Sequence, residues 1–289
     1  MLRSFGGAVA LTGYLACLPC AARAQEWQTI AAAPGVLRRE LKAANRMLTN
    51  RRIWLYKPAN LPAGRKLRTV LIAAAGSRMF NGVPLASGDV PEHLPYVRAG
   101  FAVIAYETDG TLSGENEAAI IAAARGFAAA RGGLENAKAT LDTVLPLAPF
   151  VDTKHIYAVG HSSAATVALG VAANDPRIAG CVAYAPQPDI RDHLGDAGVA
   201  LDRRVPGFLS VMASVSPQEN AARLRGRPVF LFHAKDDSVV SRAATFSYIG
   251  ALRRTQVAFS FREVPSGDHY DSMIAAGIPA GIAWIKKQP

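Results

Sequence analysis

Cysteine is scarce in this chain. Its 289 residues hold three, and two of them, Cys17 and Cys20, fall in a stretch that reads as a cleavable leader. Cys181 would then stand alone, so no intramolecular disulfide can hold the mature protein. Cys181 lies in the apolar run 178–185 and reads as a buried core thiol. Neither leader cysteine follows the Leu-small-small pattern of a bacterial lipoprotein signal, so lipidation is not expected. Long apolar runs are missing too. The one that starts at Phe5 ends at Leu18 and contains Gly6, Gly7 and Gly13, too short and too broken for a stable membrane anchor. The formal charge is +10, yet the basic residues are scattered pairs such as Arg38-Arg39, Arg203-Arg204 and Lys286-Lys287. Without a basic run or a nucleic-acid motif, the charge reads as a solvated surface and no nucleic-acid partner is expected. No His/Cys/Asp cluster has metal-ligand spacing and no glycine-rich phosphate loop stands out, so neither a metal nor a cofactor is expected.

What is present begins with Arg3, the apolar stretch, and Ala22-Arg23-Ala24 ahead of Gln25. A basic start, an apolar centre and a small-x-small site describe a secretory signal peptide over residues 1–24. With the Ala and Arg richness, this points to a bacterial protein exported to the periplasm or beyond, its charge reduced to +8 once Arg3 and Arg23 are removed. Residues 25–50 form an Ala- and Arg-rich extension, predicted to be helical in part. From 51 to 289 the pattern is one α/β domain. Strands are predicted at 51–57, 69–73, 101–106, 155–159, 178–185, 228–233 and 257–264, and helical stretches at 117–131, 134–147, 164–174, 242–254 and 274–287. Continuous apolar strands alternating with helices imply a mostly parallel sheet covered on both faces. Residues 186–225 break the rhythm with four prolines and are predicted to be a small cap-like insertion after the sixth strand.

The chain is organised around Lys154–Asn174, KHIYAVGHSSAATVALGVAAN. A buried strand runs into Gly160-His161-Ser162-Ser163-Ala164 and then into a helix, the context of a nucleophile elbow. The turn is tight enough that residues two before and two after the serine must be small, and Gly160 and Ala164 are. The alternative is that Ser162 and Ser163 merely cap a helix after a buried strand. A serine needs a base, and the base a carboxylate that fixes its tautomer. Both occur past later strands: His233-Ala-Lys-Asp-Asp237-Ser-Val-Val after one, Gly267-Asp-His269 after the next. Asp236 competes with Asp237 for the acid.

These residues resemble the α/β-hydrolases, nearest the branch of dienelactone hydrolases and prolyl-oligopeptidase-type serine hydrolases. Gly-His-Ser-Ser-Ala resembles Gly-x-Ser-x-Gly, with Ala164 in place of the last glycine. His233 to Val240 resembles the His-Gly-x-x-Asp-x-x-Val acid loop, which favours Asp237 over Asp236, and Gly267-Asp-His269 matches the histidine loop. The resemblance covers roughly 51–289. It implies Ser162 as nucleophile, His269 as base and Asp237 as its orienting acid. It also implies an oxyanion hole of backbone N–H groups from Ser163 and from the loop after 69–73. There Ala75-Gly76 replaces the usual His-Gly, making Ser77 the candidate donor with Arg78 next; Gly76, Arg78 and His161 are expected to line the site. The expected substrate is a carboxylic ester of a small or polymeric acyl compound, hydrolysed after export. The alternatives are a peptidase or amidase of the prolyl-oligopeptidase type, for whose β-propeller the residues before 51 are too few, an acyltransferase, and a non-catalytic binding protein.

Overall fold

The computed structural model describes residues 26–31 and 33–289; the predicted leader lies outside them. In chain order the strands are β1 (Gln28–Ile30), β2 (Ala33–Lys42), β3 (Arg52–Pro58), β4 (Leu67–Ala73), β5 (Ala102–Tyr106), β6 (Val151–His161), β7 (Ile178–Tyr184), β8 (Val229–Ala234) and β9 (Phe259–Val264). They make one sheet in the order β1-β2-β3-β5-β4-β6-β7-β8-β9. From β5 to β9 every pairing is parallel, whereas β1, β2 and β3 are antiparallel additions at one edge. The continuous apolar runs become interior strands of this sheet: all of β5 and all of β8 are buried, as strands covered on both faces must be.

The helices are α1 (Val90–Arg98), α2 (Glu117–Ala129), α3 (Leu134–Val144), α4 (Ser163–Asn174), α5 (Ile190–Arg204), α6 (Phe208–Val215), α7 (Pro217–Asn220), α8 (Arg242–Arg254) and α9 (Ile278–Lys286). Alternation along the strands sends Val70, Val103, Val159 and Val182 to one face, where they pack on Tyr96 of α1 and Ile278 and Ile285 of α9. Leu71, Ile104, Ala158 and Cys181 face the other side, under α2, α3, α4 and α8. Cys181 is fully buried and burial pushes its thiol above the usual range, so it is a core residue.

Two expectations need correction. The insertion follows the seventh strand, β7, not the sixth. The described residues of 25–50 are not helical; they supply β1 and β2. The physical reason is tertiary. Glu40 pairs in register with Trp54 and accepts its indole N–H at 3.0 Å, while the Arg38 guanidinium lies 4.7 Å from the centroid of that ring. Long amphipathic side chains cover the edge of a sheet as well as they cover a helix, and such pairing overrides a weak helix preference. The insertion itself is helical, α5 to α7, kinked at Gly195 (φ 47°). Phe208, Met212 and Val215 of α6 and Ile190, Leu194 and Leu201 of α5 join the same core as α4, so the insertion is packed onto the domain.

Candidate active site

Ser162 stands between β6 and α4 with φ 56° and ψ −124°, a left-handed conformation that costs a non-glycine residue about 1–3 kcal/mol. The turn is tied down on both sides. Ser162 N–H donates to the Tyr184 carbonyl at 2.9 Å, and the Ser162 carbonyl accepts from Ala165 and Thr166. The small residues follow from the same geometry. A Cβ at Gly160 would lie 2.3 Å from the backbone C and O of Ala164, whereas the methyl of Ala164 is accommodated in the core. Gly160→Ala is therefore expected to open the elbow, at a cost of roughly 3 kcal/mol, the upper range for overpacking. Thermal unfolding would show it as a melting temperature several degrees lower.

The two later loops meet beside this turn. His269 Nδ1 donates to Asp237 Oδ2 at 2.8 Å. The other oxygen, Asp237 Oδ1, accepts the N–H groups of Val239 and Val240 at 2.9 and 2.8 Å. Burial opposes the charge on Asp237, but the His269 hydrogen bond and the two amides outweigh it and hold the carboxyl below its usual range. Asp236, its neighbour, accepts instead from the backbone N–H groups of Gly267 and Asp268 at 3.1 and 3.0 Å. Asp268 returns the tie, accepting from Ser238 N–H and Oγ–H at 2.8 and 2.9 Å. The acid loop and the histidine loop are thus stitched together in both directions. His233 fixes the acid loop from below: its Nε2–H donates to the Val240 carbonyl at 3.1 Å, and its Nδ1 accepts from Thr245 Oγ1 at 2.9 Å.

His161 connects this pair to the elbow. Its Nε2 is 3.0 Å from the His269 carbonyl oxygen, and the two imidazole centroids are 4.4 Å apart. Ser162 Oγ makes no hydrogen bond to His269 in this structure; contacts of this kind tighten when substrate fills the site. The oxyanion loop shows a further departure. Gly76 and Ser77 reach the elbow, but both of their N–H groups donate to Ser163 Oγ, at 3.0 and 2.9 Å. Arg78 N–H is also engaged, on Asn81 Oδ1 at 3.0 Å. In this structure the hydroxyl of Ser163 thus occupies the loop amides, and the expected pair of oxyanion donors is represented by Ser163 N–H at the start of α4.

Sequence reasoning missed Glu92, Asp268 and the role of Asp236. Glu92 is buried on α1 and its Oε1 lies 3.9 Å from His161 Nδ1. The available signal was its spacing of four from Tyr96, which places it on the apolar face of the helix. Elsewhere, His93 Nδ1 is 3.3 Å from the Tyr56 hydroxyl, and His155 lies between Asp152 and the Pro289 carbonyl. No group of three or more potential metal ligands occurs among the described residues.

A cleft of about 820 Å³ is lined by Phe80, Ile120, Ile121 and Leu201 and by the charged side chains of Glu117, Arg203 and Arg204. Each wall leaves the carboxyl end of a parallel strand: Phe80 follows β4, α2 follows β5, and α5 follows β7. Ligands of open α/β sheets bind at that edge. Phe80 is three residues beyond Ser77, so at full chain extension it lies within about 11 Å of Ser77, whose amide touches Ser163. The other large hollows, of about 560 and 470 Å³, are lined by residues such as Gly35, Arg65 and Gly100, near the opposite ends of the strands.

No protein-family model matches the chain, and neither does any curated protein. Solved structures do. The acylaminoacyl peptidase of Pyrococcus horikoshii superposes with a TM-score of 0.65 at 14% identity, over 87% of this chain and 40% of its own. A candidate dienelactone hydrolase from Klebsiella pneumoniae gives 0.63 at 15% identity, over 88% of this chain and 99% of its own. Acetyl xylan esterase 1 from Thermoanaerobacterium gives 0.63 at 16%, over 90% and 86%. The chain spans about 40% of the length of the acylaminoacyl peptidases it matches. With its parallel strands, its strained serine turn and its helices on both faces, this chain has the α/β-hydrolase fold.

Proposed function

We propose that the protein is a serine hydrolase that cleaves carboxylic esters through an acyl-enzyme on Ser162. The observation that carries the proposal is the hydrogen bond from His269 Nδ1 to Asp237, formed beside a strained serine. With Nδ1–H held by the carboxylate, the lone pair of His269 is on Nε2, the nitrogen a base must use. Ser162 Oγ attacks the acyl carbonyl and its proton passes to His269 Nε2. The oxyanion takes the Ser163 N–H at the positive end of α4. His269 then protonates the leaving alcohol, and water, deprotonated in the same way, releases the acid.

The cleft favours an ester over a peptide. Its walls are mostly apolar, Phe80, Ile120, Ile121, Ala197, Ala200 and Leu201, with Glu117, Arg203 and Arg204 as the charged lining, and a peptide would bring an N–H and a C=O per residue to a largely apolar surface. An apolar acyl chain carries no such cost. A peptidase or amidase is the second reading, supported by the likeness in fold to acylaminoacyl peptidase. Export to the periplasm or the medium is part of the proposal and rests on the sequence of residues 1–24 alone.

The test is a panel of p-nitrophenyl esters of increasing acyl length beside the matching p-nitroanilides, with a fluorophosphonate probe on the same samples. Ester turnover without anilide turnover is the expected result. Comparable anilide turnover would establish the peptidase reading instead. A folded protein with neither turnover nor labelling would sink the hydrolase and leave a binding protein on this fold.

A further inference from the structure

Two buried groups at the elbow have no place in the steps above. His161 ends β6, one residue before Ser162, and its side chain is 5% exposed; Glu92 reaches it from α1. The partner of His161 Nε2 is a carbonyl oxygen, which only accepts, so Nε2 carries the proton and Nδ1 presents a bare lone pair. What faces that lone pair is Glu92 Oε1 at 3.9 Å.

The loop that carries His269 belongs to no strand, and Gly267 and Asp268 adopt positive φ. Asp236 and Ser238 secure positions 267 and 268, and Ser272 N–H secures the Gly267 carbonyl. The carbonyl of residue 269 is secured by His161, whose ring also lies against the base. One strand end therefore carries both the nucleophile and the brace of its base. We propose that His161 is a positioning residue that holds His269 by its carbonyl and ring face, and that Glu92 controls this brace through the charge it carries or lacks 3.9 Å from His161 Nδ1. The proposal rests on the assignment of Ser162 and His269 to the acyl-transfer chemistry.

Burial, aided by the nearby charge of Asp89, raises Glu92 to about 7. Burial and the neighbouring His269 lower His161 to about 4, against the opposing pull of the His269 carbonyl and Asp237. Near neutral pH it is thus Glu92 that changes charge while His161 stays neutral. Below about 7 the carboxyl is neutral; above it, a carboxylate 3.9 Å away, too far for a hydrogen bond, faces that lone pair and repels it. The groups around Glu92 are Asp89 in the turn before α1, the hydroxyls of Tyr96 and Tyr184, and Tyr270 of the histidine loop. Arg52 acts on Asp89. His161 faces His269, Asp237 and the Tyr270 ring. Among the described residues Glu92 has no arginine or lysine partner within salt-bridge distance. The brace is consequently firm on the acid side of about pH 7 and loosens above it.

The experiment combines kcat and KM, from about pH 5 to about pH 9, with nitrogen-15 histidine NMR on the wild type, His161→Leu, His161→Gln and Glu92→Gln. His161→Leu is expected to lower kcat roughly 100-fold with little change in KM, the scale of a displaced catalytic group. His161→Gln, which returns an N–H toward the same carbonyl, is expected to recover most of it. In the wild type His161 should be the Nε2–H tautomer, with its Nδ1 shift moving near pH 7; in Glu92→Gln that movement and the alkaline fall in kcat should vanish. Equal losses in the Leu and Gln variants would overturn the brace. A His161 shift that ignores pH 7, or one that still moves in Glu92→Gln, would overturn the control by Glu92. A wild type that turns over no ester defeats the hydrolase assignment separately, and the NMR titration then decides the pair.

Discussion

Ser162→Ala is expected to abolish fluorophosphonate labelling and to lower kcat on a p-nitrophenyl ester by about a millionfold, the loss seen when a triad serine is removed. No neighbour can substitute. Ser163 is the nearest hydroxyl, but it lies within α4 and its Oγ is held by the amides of Gly76 and Ser77. It lacks the strained φ that aims Ser162 out of the turn. Ser163→Ala is therefore the informative control. It leaves the Ser163 N–H in place, frees both loop amides, and should retain labelling. Labelling that survives in Ser162→Ala and disappears in Ser163→Ala would move the nucleophile by one residue and overturn the site.

The parts of this site visible in the sequence are those whose signal is local. A strand, a small-Ser-small turn and a helix lie within 21 consecutive residues, and the turn demands glycine at 160 because backbone atoms of Ala164 and Ala165 fill the space behind it. The acid and the histidine each sit just past an apolar strand, so their positions at one sheet edge follow from the parallel order of β6, β7, β8 and β9. Order along the chain supplies the rest of that inference.

What stayed hidden depends on pairs far apart in sequence. Nothing local in Asp236 or Asp268 shows that each clamps the other's loop across about 30 residues. Nothing near Ser77 shows that its amide is drawn to the Ser163 hydroxyl, 86 positions away. The extension over 25–50 looks helical in part by composition, and only cross-strand pairing, of β1 with β2 and of β2 with β3, makes strands of 28–30 and 33–42. The hidden contacts share a feature: each is a polar group satisfied by tertiary structure. Burial makes such pairing obligatory without specifying the partner.

Asp237→Asn is expected to lower kcat by about 10⁴-fold with KM nearly unchanged, and the reason is a choice the asparagine has to make. In the wild type one carboxylate oxygen accepts from Val239 and Val240 and the other from His269. An asparagine has a single acceptor, and two backbone N–H groups compete for it. Its oxygen stays with them and its NH₂ turns to His269 Nδ1. A donor there requires Nδ1 to give up its proton, which moves to Nε2, so the base meets Ser162 with N–H in place of a lone pair. The fold survives this exchange, and the thermal transition should move little. Asp236→Asn is the matched comparison. It keeps one acceptor for Gly267 and Asp268 and never touches the imidazole, so its cost is expected to be about tenfold, the scale of loosened positioning. Steady-state kinetics of the two variants side by side settle the acid: a larger loss in Asp236→Asn would transfer the role to that residue.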